Sequence, residues 1–271
     1  MKIEYIIGIL IIWGLISCSD RDENQEPTYG KVNVALSVTL PEPENVHSLA
    51  RSYTDSEIKN VDVLVFDEDG KFMERVKVDG GELTPSGTEI SFSIRLDATS
   101  KRRVIHLVTN GRSPDGVTDR LNFNDITSGM LESAAIPALG TTAMIFGSLE
   151  DQVMPLIMWG RVELPTGINI VTKADGVKLL RVAACVQVKK GVGDATNGLN
   201  DFIIQSVTVD KGFDRGYLTP ANYSTVVTPV TGRPLSGSTL NYANGWSDGE
   251  TPSLYIYERN CTVADYMGVI I

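Results

Sequence analysis

Alternation of apolar and polar residues is the dominant pattern of the chain from Gly30 onward, and it predicts β-structure. The segment Lys31–Leu40 has an aliphatic residue at every second position, which predicts a strand with one buried face. That face carries Val32, Val34, Leu36, Val38 and Leu40. The polar, proline-containing segment 41–57 then predicts a connection rather than a further strand.

The segment Asn60–Val78 predicts a β-hairpin, because two apolar runs flank the turn residues Asp67–Gly70. Its first strand has apolar residues on both faces, so we expect both faces to be covered. One face carries Val61, Val63 and Val65, and the other carries Leu64 and Phe66. The return strand resumes the pattern at Phe72, Val76 and Val78.

Several further segments alternate in the same way and predict more strands. They are Glu89–Asp97, Arg102–Asn110, Met154–Pro165, Gly176–Lys190, Asp201–Asp210 and Ser253–Asn260. One helix is predicted between Asn122 and Ala138, with Asp125 or Thr127 as its N-cap. Many short strands separated by turn residues favour β-sandwiches. A boundary near Pro165–Lys173 then divides the chain into an N-terminal sandwich, 30–168, and a C-terminal one, 169–271.

The N-terminus carries an apolar run, Ile6–Ile16, of 11 residues. A helix needs about 20 residues to cross a bilayer, so the run fits a signal peptide, 1–17. The sequence Leu15–Cys18 resembles a bacterial lipobox, in which the cysteine thiol receives a diacylglycerol and the chain is cut just before it. Cys18 is therefore the predicted lipidation site, carrying palmitate-like acyl chains, and 18–29 is a flexible tether. The alternative is an ordinary signal peptide with an incidental cysteine.

The overall charge limits the possible partners. The net charge of −10 disfavours nucleic acid, because an acidic chain repels phosphate backbones. Cys185 and Cys261, the remaining cysteines, have no spacing that requires a disulfide, and Cys185 lies in a strand pattern typical of a small buried residue.

Catalytic and metal-binding patterns are not found in the sequence, so we expect a protein that is not an enzyme, with no cofactor and no metal. The two histidines, His47 and His106, have no second ligand at zinc spacing, and each is expected to be hydrogen-bonded or surface-facing. The glycine-rich segment Gly191–Gly198 does not match a phosphate-binding loop and precedes a strand pattern. The turn Asp67–Gly70 does not have the ligand spacing of an EF-hand.

The aromatic residues leave one binding alternative open. Trp159, Trp246, Tyr255 and Tyr257 could stack on sugar rings, which would make the protein a surface-anchored glycan-binding lipoprotein of a polysaccharide-uptake system. Tyr255 and Tyr257 alternate within a strand pattern, however, where aromatic residues normally pack against neighbours. Trp246 is the one in a loop-like sequence.

Several segments in order together resemble the fimbrillin superfamily, the fimbrial subunit and anchor lipoproteins of Bacteroidetes type V pili. The resemblance spans Lys31–Asn260 and rests on Cys18 together with four segments, Ile58–Phe72, Pro155–Leu164, Val177–Lys190 and Leu254–Asn260. It implies an all-β protein of two transthyretin-like (Greek-key) β-sandwich domains. It also implies a lipoprotein of the cell outer membrane, exposed on the surface or in the fimbrium. The acidic residues that follow Cys18 in this chain resemble a surface-export signal of Bacteroidetes lipoproteins.

The resemblance further implies assembly with other fimbrial subunits through exchanged strands, and a contribution to cell adhesion. In polymerising relatives an arginine-specific protease cuts the loop after the first strand, and the matching position here is Arg51. The alternative is an uncut anchor that keeps its first strand and its lipid. Relatives usually continue with more strands after the segment that matches Leu254–Asn260. The C-terminal sandwich is therefore expected either to be incomplete at Ile271 or to end in the abbreviated strand Tyr266–Ile271.

Overall fold

The protein folds around two β-sheets that pack face to face. A computed structural model describes residues 30–41, 57–139 and 155–183 in full, and the backbone of residues 184–187. Of the later chain it describes residues 218–219 and the strand segments 206–210, 238–241, 253–257 and 268–270. The described chain is predominantly β-structure with few helices, as the alternating pattern predicts.

The first sheet has four strands: β1 (Lys31–Thr39), β4 (Thr84–Ser86), β5 (Glu89–Asp97) and β8 (Lys173–Lys178). Their order is β4-β5-β1-β8, so β1 lies inside the sheet. It pairs antiparallel with β5 and parallel with β8. The predicted alternation of β1 is confirmed, since Val34, Leu36 and Val38 are buried in the core.

The second sheet has five strands in the order β3-β2-β6-β7-β9. They are β2 (Asn60–Phe66), β3 (Phe72–Asp79), β6 (Arg103–Thr109), β7 (Met158–Leu164) and β9 (Leu180–Arg181). The predicted hairpin is confirmed as β2 and β3, joined by a turn in which Gly70 has a φ of 75°. A positive φ suits glycine because it has no Cβ to clash with the backbone.

Both faces of the five-stranded sheet are covered, as the two apolar faces of β2 predict. Val61, Val63 and Val65 lie in the core between the two sheets, whereas Leu64 and Phe66 lie in a second core on the outer face. This second core is closed by the helix α1 (Glu132–Ala138), which buries Ala135 and Ile136.

The predicted helix exists but begins later than its predicted caps. Its N-cap residue is Leu131, and neither Asp125 nor Thr127 caps it. Asp125 instead ends a short 3-10 helix, Phe123–Asp125. The side chain of Phe123 is buried in the second core and holds this 3-10 turn there, so the turn is an element separate from α1.

The predicted strand Gly176–Lys190 is wrong in its continuity, because the chain breaks into β8, β9 and β10 (Ala183–Gln187). The breaks fall at Leu179, which packs between the sheets, and at Val182, which packs in the second core. The chain therefore moves from one sheet to the other here. Since β8 and β9 pair with N-terminal strands, the N-terminal sheets continue past Ile168.

The remaining strands form two small sheets. Strand β10 pairs with β13 (Ser253–Tyr257), and β11 (Ser206–Asp210) lies between β12 (Ser238–Asn241) and β14 (Gly268–Ile270). Strand β14 pairs antiparallel with β11, from Thr208 opposite Ile270 to Asp210 opposite Gly268. The division of the chain into two sandwich domains stays a prediction.

Candidate functional site

The first candidate site is the first-strand seat, which we define as the position of β1 between β5 and β8 in the four-stranded sheet. All nine residues of β1 pair with residues of β5, from Lys31 opposite Asp97 to Thr39 opposite Glu89. On its other edge β1 pairs with β8, with an irregularity between Leu36 and Val38. Among the described strands, β8 is joined to its sheet through β1.

The side chains of β1 fill the seat from one face. Val34, Leu36 and Val38 are each at most 1% exposed and contribute to the core between the sheets. Burying an aliphatic side chain of this size contributes about 1.5–3 kcal/mol relative to leaving it exposed. The seat without its strand would therefore present an apolar groove and two unpaired strand edges.

Ser37 adds a polar contact on the edge that faces β8. Its hydroxyl bonds to the carboxylate of Glu89, and its oxygen accepts the backbone N–H of Gly176 at 2.7 Å. The buried hydroxyl thus has both a donor and an acceptor partner, as a buried polar group requires. This pair of contacts ties β5, β1 and β8 together across the irregular register.

A buried arginine–aspartate cluster lies beside the hairpin β2–β3. It is defined by Asp62, Arg75, Arg112 and Asp119. The Asp62 carboxylate accepts hydrogen bonds from Arg75 Nε at 2.8 Å and from Arg112 Nε at 3.3 Å. Arg75 also donates two bonds to Asp119, at 2.6 and 3.0 Å, and its guanidinium lies 3.4 Å from the ring centroid of Phe123.

Arg112 connects this cluster to the backbone. Its side chain is 1% exposed, and its Nη2 donates to the carbonyl of Val78 at 2.8 Å while Nη1 donates to the carbonyl of Gly116 at 3.0 Å. Asp62 compensates the buried guanidinium of Arg112 and the partly buried guanidinium of Arg75, and an uncompensated buried charge is costly. The cluster therefore fixes the loop after β6 against the hairpin.

A second cluster, the histidine cluster, lies on the outer face of the five-stranded sheet and consists of His106, Glu132, Trp159 and Arg161. Trp159 Nε1 donates to His106 Nδ1 at 2.9 Å, and His106 Nε2 lies 2.8 Å from Glu132 Oε1. An indole N–H can only donate, so Nδ1 must be the unprotonated nitrogen and Nε2 carries the proton. His106 is thus a neutral imidazole that donates to Glu132, which Arg161 Nε also contacts at 2.7 Å.

The pKa values of this cluster agree with that tautomer. Burial lowers the pKa of His106, an effect that the neighbouring Glu132 carboxylate opposes only in part. Burial acts to raise the pKa of Glu132, but the hydrogen bonds from His106 and Arg161 outweigh it and hold the pKa at about 2. Both groups therefore keep one charge state across the neutral range.

The histidine cluster predicts a loss of stability in acid. The pKa of His106 falls from 6.5 in the unfolded chain to a lower folded value, and the pKa of Glu132 falls from 4.5 to about 2. In both windows the unfolded chain binds more protons, so the free energy of unfolding falls as the pH is lowered from 6.5 towards 2. Urea unfolding at a series of pH values measures this slope.

Trp159→Phe provides the matched test of the cause. Without the indole N–H, Nδ1 of His106 is free to accept a proton, so we expect the pKa of His106 to rise. NMR of the two imidazoles measures this, with His47 as the internal reference and His47→Gln to assign the signals. An unchanged His106 titration in Trp159→Phe would contradict the proposed tautomer.

The predicted site residues are divided between the described and the undescribed chain. Cys18, Arg51, His47 and Cys261 lie outside the described residues, as do the side chains of Cys185, Trp246, Tyr255 and Tyr257. His106 is buried and hydrogen-bonded, which is one of its two predicted states. Trp159 is 1% exposed and cannot stack on a sugar ring, so this part of the glycan-binding alternative is wrong.

Neither buried cluster was predicted from the sequence, although Asp62 carries a signal. A charged residue between Val61 and Val63, in a strand buried on both faces, needs a charged partner. Its partners Arg75 and Arg112 lie 13 and 50 positions away in the sequence, which periodicity does not reveal. In the described part of the chain, no group of three His, Cys, Asp or Glu side chains could hold a metal ion. No helix among these residues is long and apolar enough to cross a membrane.

Solved structures of fimbrial proteins share this fold. A fimbrial assembly protein from Parabacteroides distasonis has a TM-score of 0.50 and 17% identity, over 86% of this chain and 78% of that chain. The tip fimbrial protein Mfa3 from Porphyromonas gingivalis, with a C-terminal truncation, has a TM-score of 0.50 and 13% identity, over 86% of this chain and 71% of that chain. No curated protein matches the sequence.

The fold of this chain is thus the all-β fold of these fimbrial proteins. The model of the family "Fimbrillin-A associated anchor proteins Mfa1 and Mfa2" matches residues 23–182, more than half of the chain. The chain belongs to this family of cell-surface fimbrial proteins. The resemblance to fimbrillins is therefore confirmed.

Proposed function

We propose that this protein is a non-enzymatic anchor or subunit of a surface fimbria. It is held in the outer membrane by acyl chains on Cys18 and joins neighbouring subunits by strand complementation. The observation that carries the proposal is the position of β1, which is the first strand after the tether and lies inside its sheet. Membership of a fimbrial anchor family supports the same role.

Strand complementation follows from the properties of the first-strand seat. A strand that enters between β5 and β8 gains main-chain hydrogen bonds on two edges, and its alternate side chains enter the positions of Val34, Leu36 and Val38. This combination is the physical basis of recognition by an added strand, since the backbone supplies affinity and the pockets supply specificity. The same seat can hold the protein's own strand or a strand from a neighbour with the same alternation.

The position of Arg51 separates two forms of the protein. Arg51 lies in the chain between β1 and β2, so a cut after it would leave β1 held in the seat only by non-covalent contacts. A form cut there can release β1 and accept a neighbour's strand. An uncut form retains β1 and remains connected to the acyl chains on Cys18, as an anchor requires.

Mass spectrometry of the cell-surface form tests the proposed anchor. We expect a mature N-terminus at Cys18 that carries acyl chains, because family membership favours the anchor form. An acyl chain contributes about 0.8 kcal/mol per buried methylene, so two or more acyl chains give stable membrane attachment. The matched variant Cys18→Ser should have no acyl chains and be released from the membrane.

The other outcomes of this experiment are equally clear. A mature N-terminus at Ser52 would show that the protein is cut after Arg51 and is a polymerising subunit rather than an anchor. An N-terminus near Cys18 without acyl chains would contradict lipid anchoring altogether. Arg51→Lys then provides the control for cleavage, because an arginine-specific protease would not cut it.

A further inference from the structure

Two aliphatic side chains project into solvent from the tight turn Asn169–Thr172. Ile170 is 81% exposed and Val171 is 75% exposed, whereas Ile168 just before them is buried. Single exposed apolar residues are common on protein surfaces and need no explanation. Two adjacent β-branched residues at the tip of one turn form a small apolar projection, and we call it the Ile170–Val171 tip.

The turn that carries the tip is fixed by its own hydrogen bonds. Asn169 Oδ1 accepts the N–H of Val171 at 2.9 Å, and Thr172 Oγ1 accepts the N–H of Asn169 at 2.8 Å. Before the turn, Gly167 has a φ of 80°, and a Cβ there would lie 2.0 Å from the carbonyl oxygen of Thr99. The backbone therefore holds the tip in place, so little backbone conformational entropy is left to lose when the two side chains are covered.

The tip lies at the end of the molecule where the N-terminal tether enters. Ile168 and Thr99 exchange two backbone hydrogen bonds, of 2.7 and 2.8 Å. Next to Thr99, the N–H of Ala98 donates to the carbonyl of Gly30 at 3.4 Å, and Gly30 is the residue that leads into β1. The tip and the point where the tether joins the body are thus close neighbours on one end of the sandwich.

We propose that the Ile170–Val171 tip inserts into the headgroup and acyl boundary of the bilayer leaflet that holds the lipid on Cys18. This inference rests on the proposed lipid anchor. The tether from Cys18 to Gly30 spans at most about 40 Å when fully extended. The end of the body that carries Gly30 therefore stays near the bilayer, and the tip is an apolar projection on that end.

The charge of the protein indicates how the tip binds. A net charge of −10 gives no general attraction to anionic lipids, so the contact depends on burial of apolar side chains. A second, weak membrane contact beside an acyl anchor restricts the orientation of the body. It directs the opposite end, where β1 ends at Thr39 and the chain continues towards Arg51, away from the membrane.

Depth-dependent fluorescence quenching tests the proposal with the full acylated protein. Ile170→Trp and its control Val117→Trp are each reconstituted in phosphatidylcholine vesicles, with or without bromine on the acyl chains. Val117 is also 75% exposed in a hydrogen-bonded turn. It follows the C-terminal end of β6, whereas the tip lies near the N-terminal end of that strand, so the two positions are at opposite ends of the sheet. The emission of the unsubstituted protein is measured in parallel and subtracted.

We expect brominated lipid to quench the indole introduced by Ile170→Trp, and its emission to shift to shorter wavelength in the vesicles. The indole introduced by Val117→Trp should stay unquenched. Equal quenching of both, or of neither, in acylated protein would overturn the tip contact and leave the anchor intact. An emission shift in the Ile170→Trp variant that depends on protein concentration without lipid would show a contact between copies and overturn it as well.

The unacylated mature polypeptide separates the tip from the anchor. Its binding to the same vesicles should fall roughly ten- to a hundredfold in the double variant Ile170→Ser, Val171→Ser, as expected when two aliphatic side chains no longer enter the bilayer. Val117→Ser should leave binding unchanged. If Cys18 carries no lipid in cells, the proposed anchor fails, and this comparison alone decides whether the tip binds lipid.

Discussion

Replacing Leu36 by aspartate is expected to unfold the two packed sheets or to expel β1 from its seat. Leu36 is 1% exposed in the middle of β1, and its neighbours in the core between the sheets are apolar. A carboxylate there has neither water nor a counter-ion, so we expect a loss of about 4–5 kcal/mol or more. Domains of this kind have a total stability of about 5–15 kcal/mol.

Urea unfolding followed by circular dichroism and tryptophan fluorescence measures this loss. Asn33→Asp is the matched control, because it adds the same charge to the same strand at an exposed position. We expect the control to change the free energy of unfolding by no more than about 0.5 kcal/mol. A similarly small change in Leu36→Asp would contradict the buried position of β1.

The Leu36→Asp protein also allows a direct test of strand complementation. A synthetic peptide with the sequence Lys31–Leu40 should bind the variant and restore its unfolding midpoint, because it supplies the apolar side chains that the seat requires. The same peptide with aspartate at the position of Leu36 should not. If neither peptide binds, the seat does not accept a strand from outside and the proposed mode of assembly is wrong.

Replacing Asp62 by alanine is expected to cost about 3–5 kcal/mol, the second large effect. Asp62 is fully buried and compensates the charges of Arg75 and Arg112. Arg112 has its guanidinium in the interior and pairs with Asp79 as well as with Asp62. Removal of Asp62 takes away the one of these two carboxylates that is fully buried. We expect a lower urea midpoint with an unchanged slope, because the area exposed on unfolding stays the same.

Asp69→Ala is the matched control for the loss of a carboxylate. Asp69 pairs with Lys71 at 3.3 Å, but its side chain is 67% exposed, and exposed ion pairs contribute about 0–1 kcal/mol. The two variants therefore differ in burial rather than in chemistry. If Asp62→Ala and Asp69→Ala lost similar stability, the arginine–aspartate cluster would not stabilise the fold.

Strand positions could be predicted where the burial of a segment depends on its own alternation. In β1 and in the hairpin β2–β3, each residue's face follows from its position in the strand, because side chains alternate with a period of two. The burial of both faces of β2 was therefore predictable, because Val61, Val63 and Val65 lie on one face and Leu64 and Phe66 on the other.

Predictions were poorer where distant residues decide the local structure. The start of α1 depends on the packing of Phe123 and Ile136 in the second core, and polar residues that resemble caps carry no information about that packing. The breaks at Leu179 and Val182 have the same cause, since the chain changes sheets there while its alternation continues.

The sequence by itself determined the strand content, the apolar faces of the central strands and the resemblance to fimbrillins. Only the tertiary structure decided that β1 lies between an antiparallel and a parallel neighbour, that Asp62 meets two arginines, and that His106 is a neutral donor to Glu132. The physical reason is range. Alternation is a property of neighbouring residues, whereas strand order and buried charge pairs are properties of segments that meet only after the chain has folded.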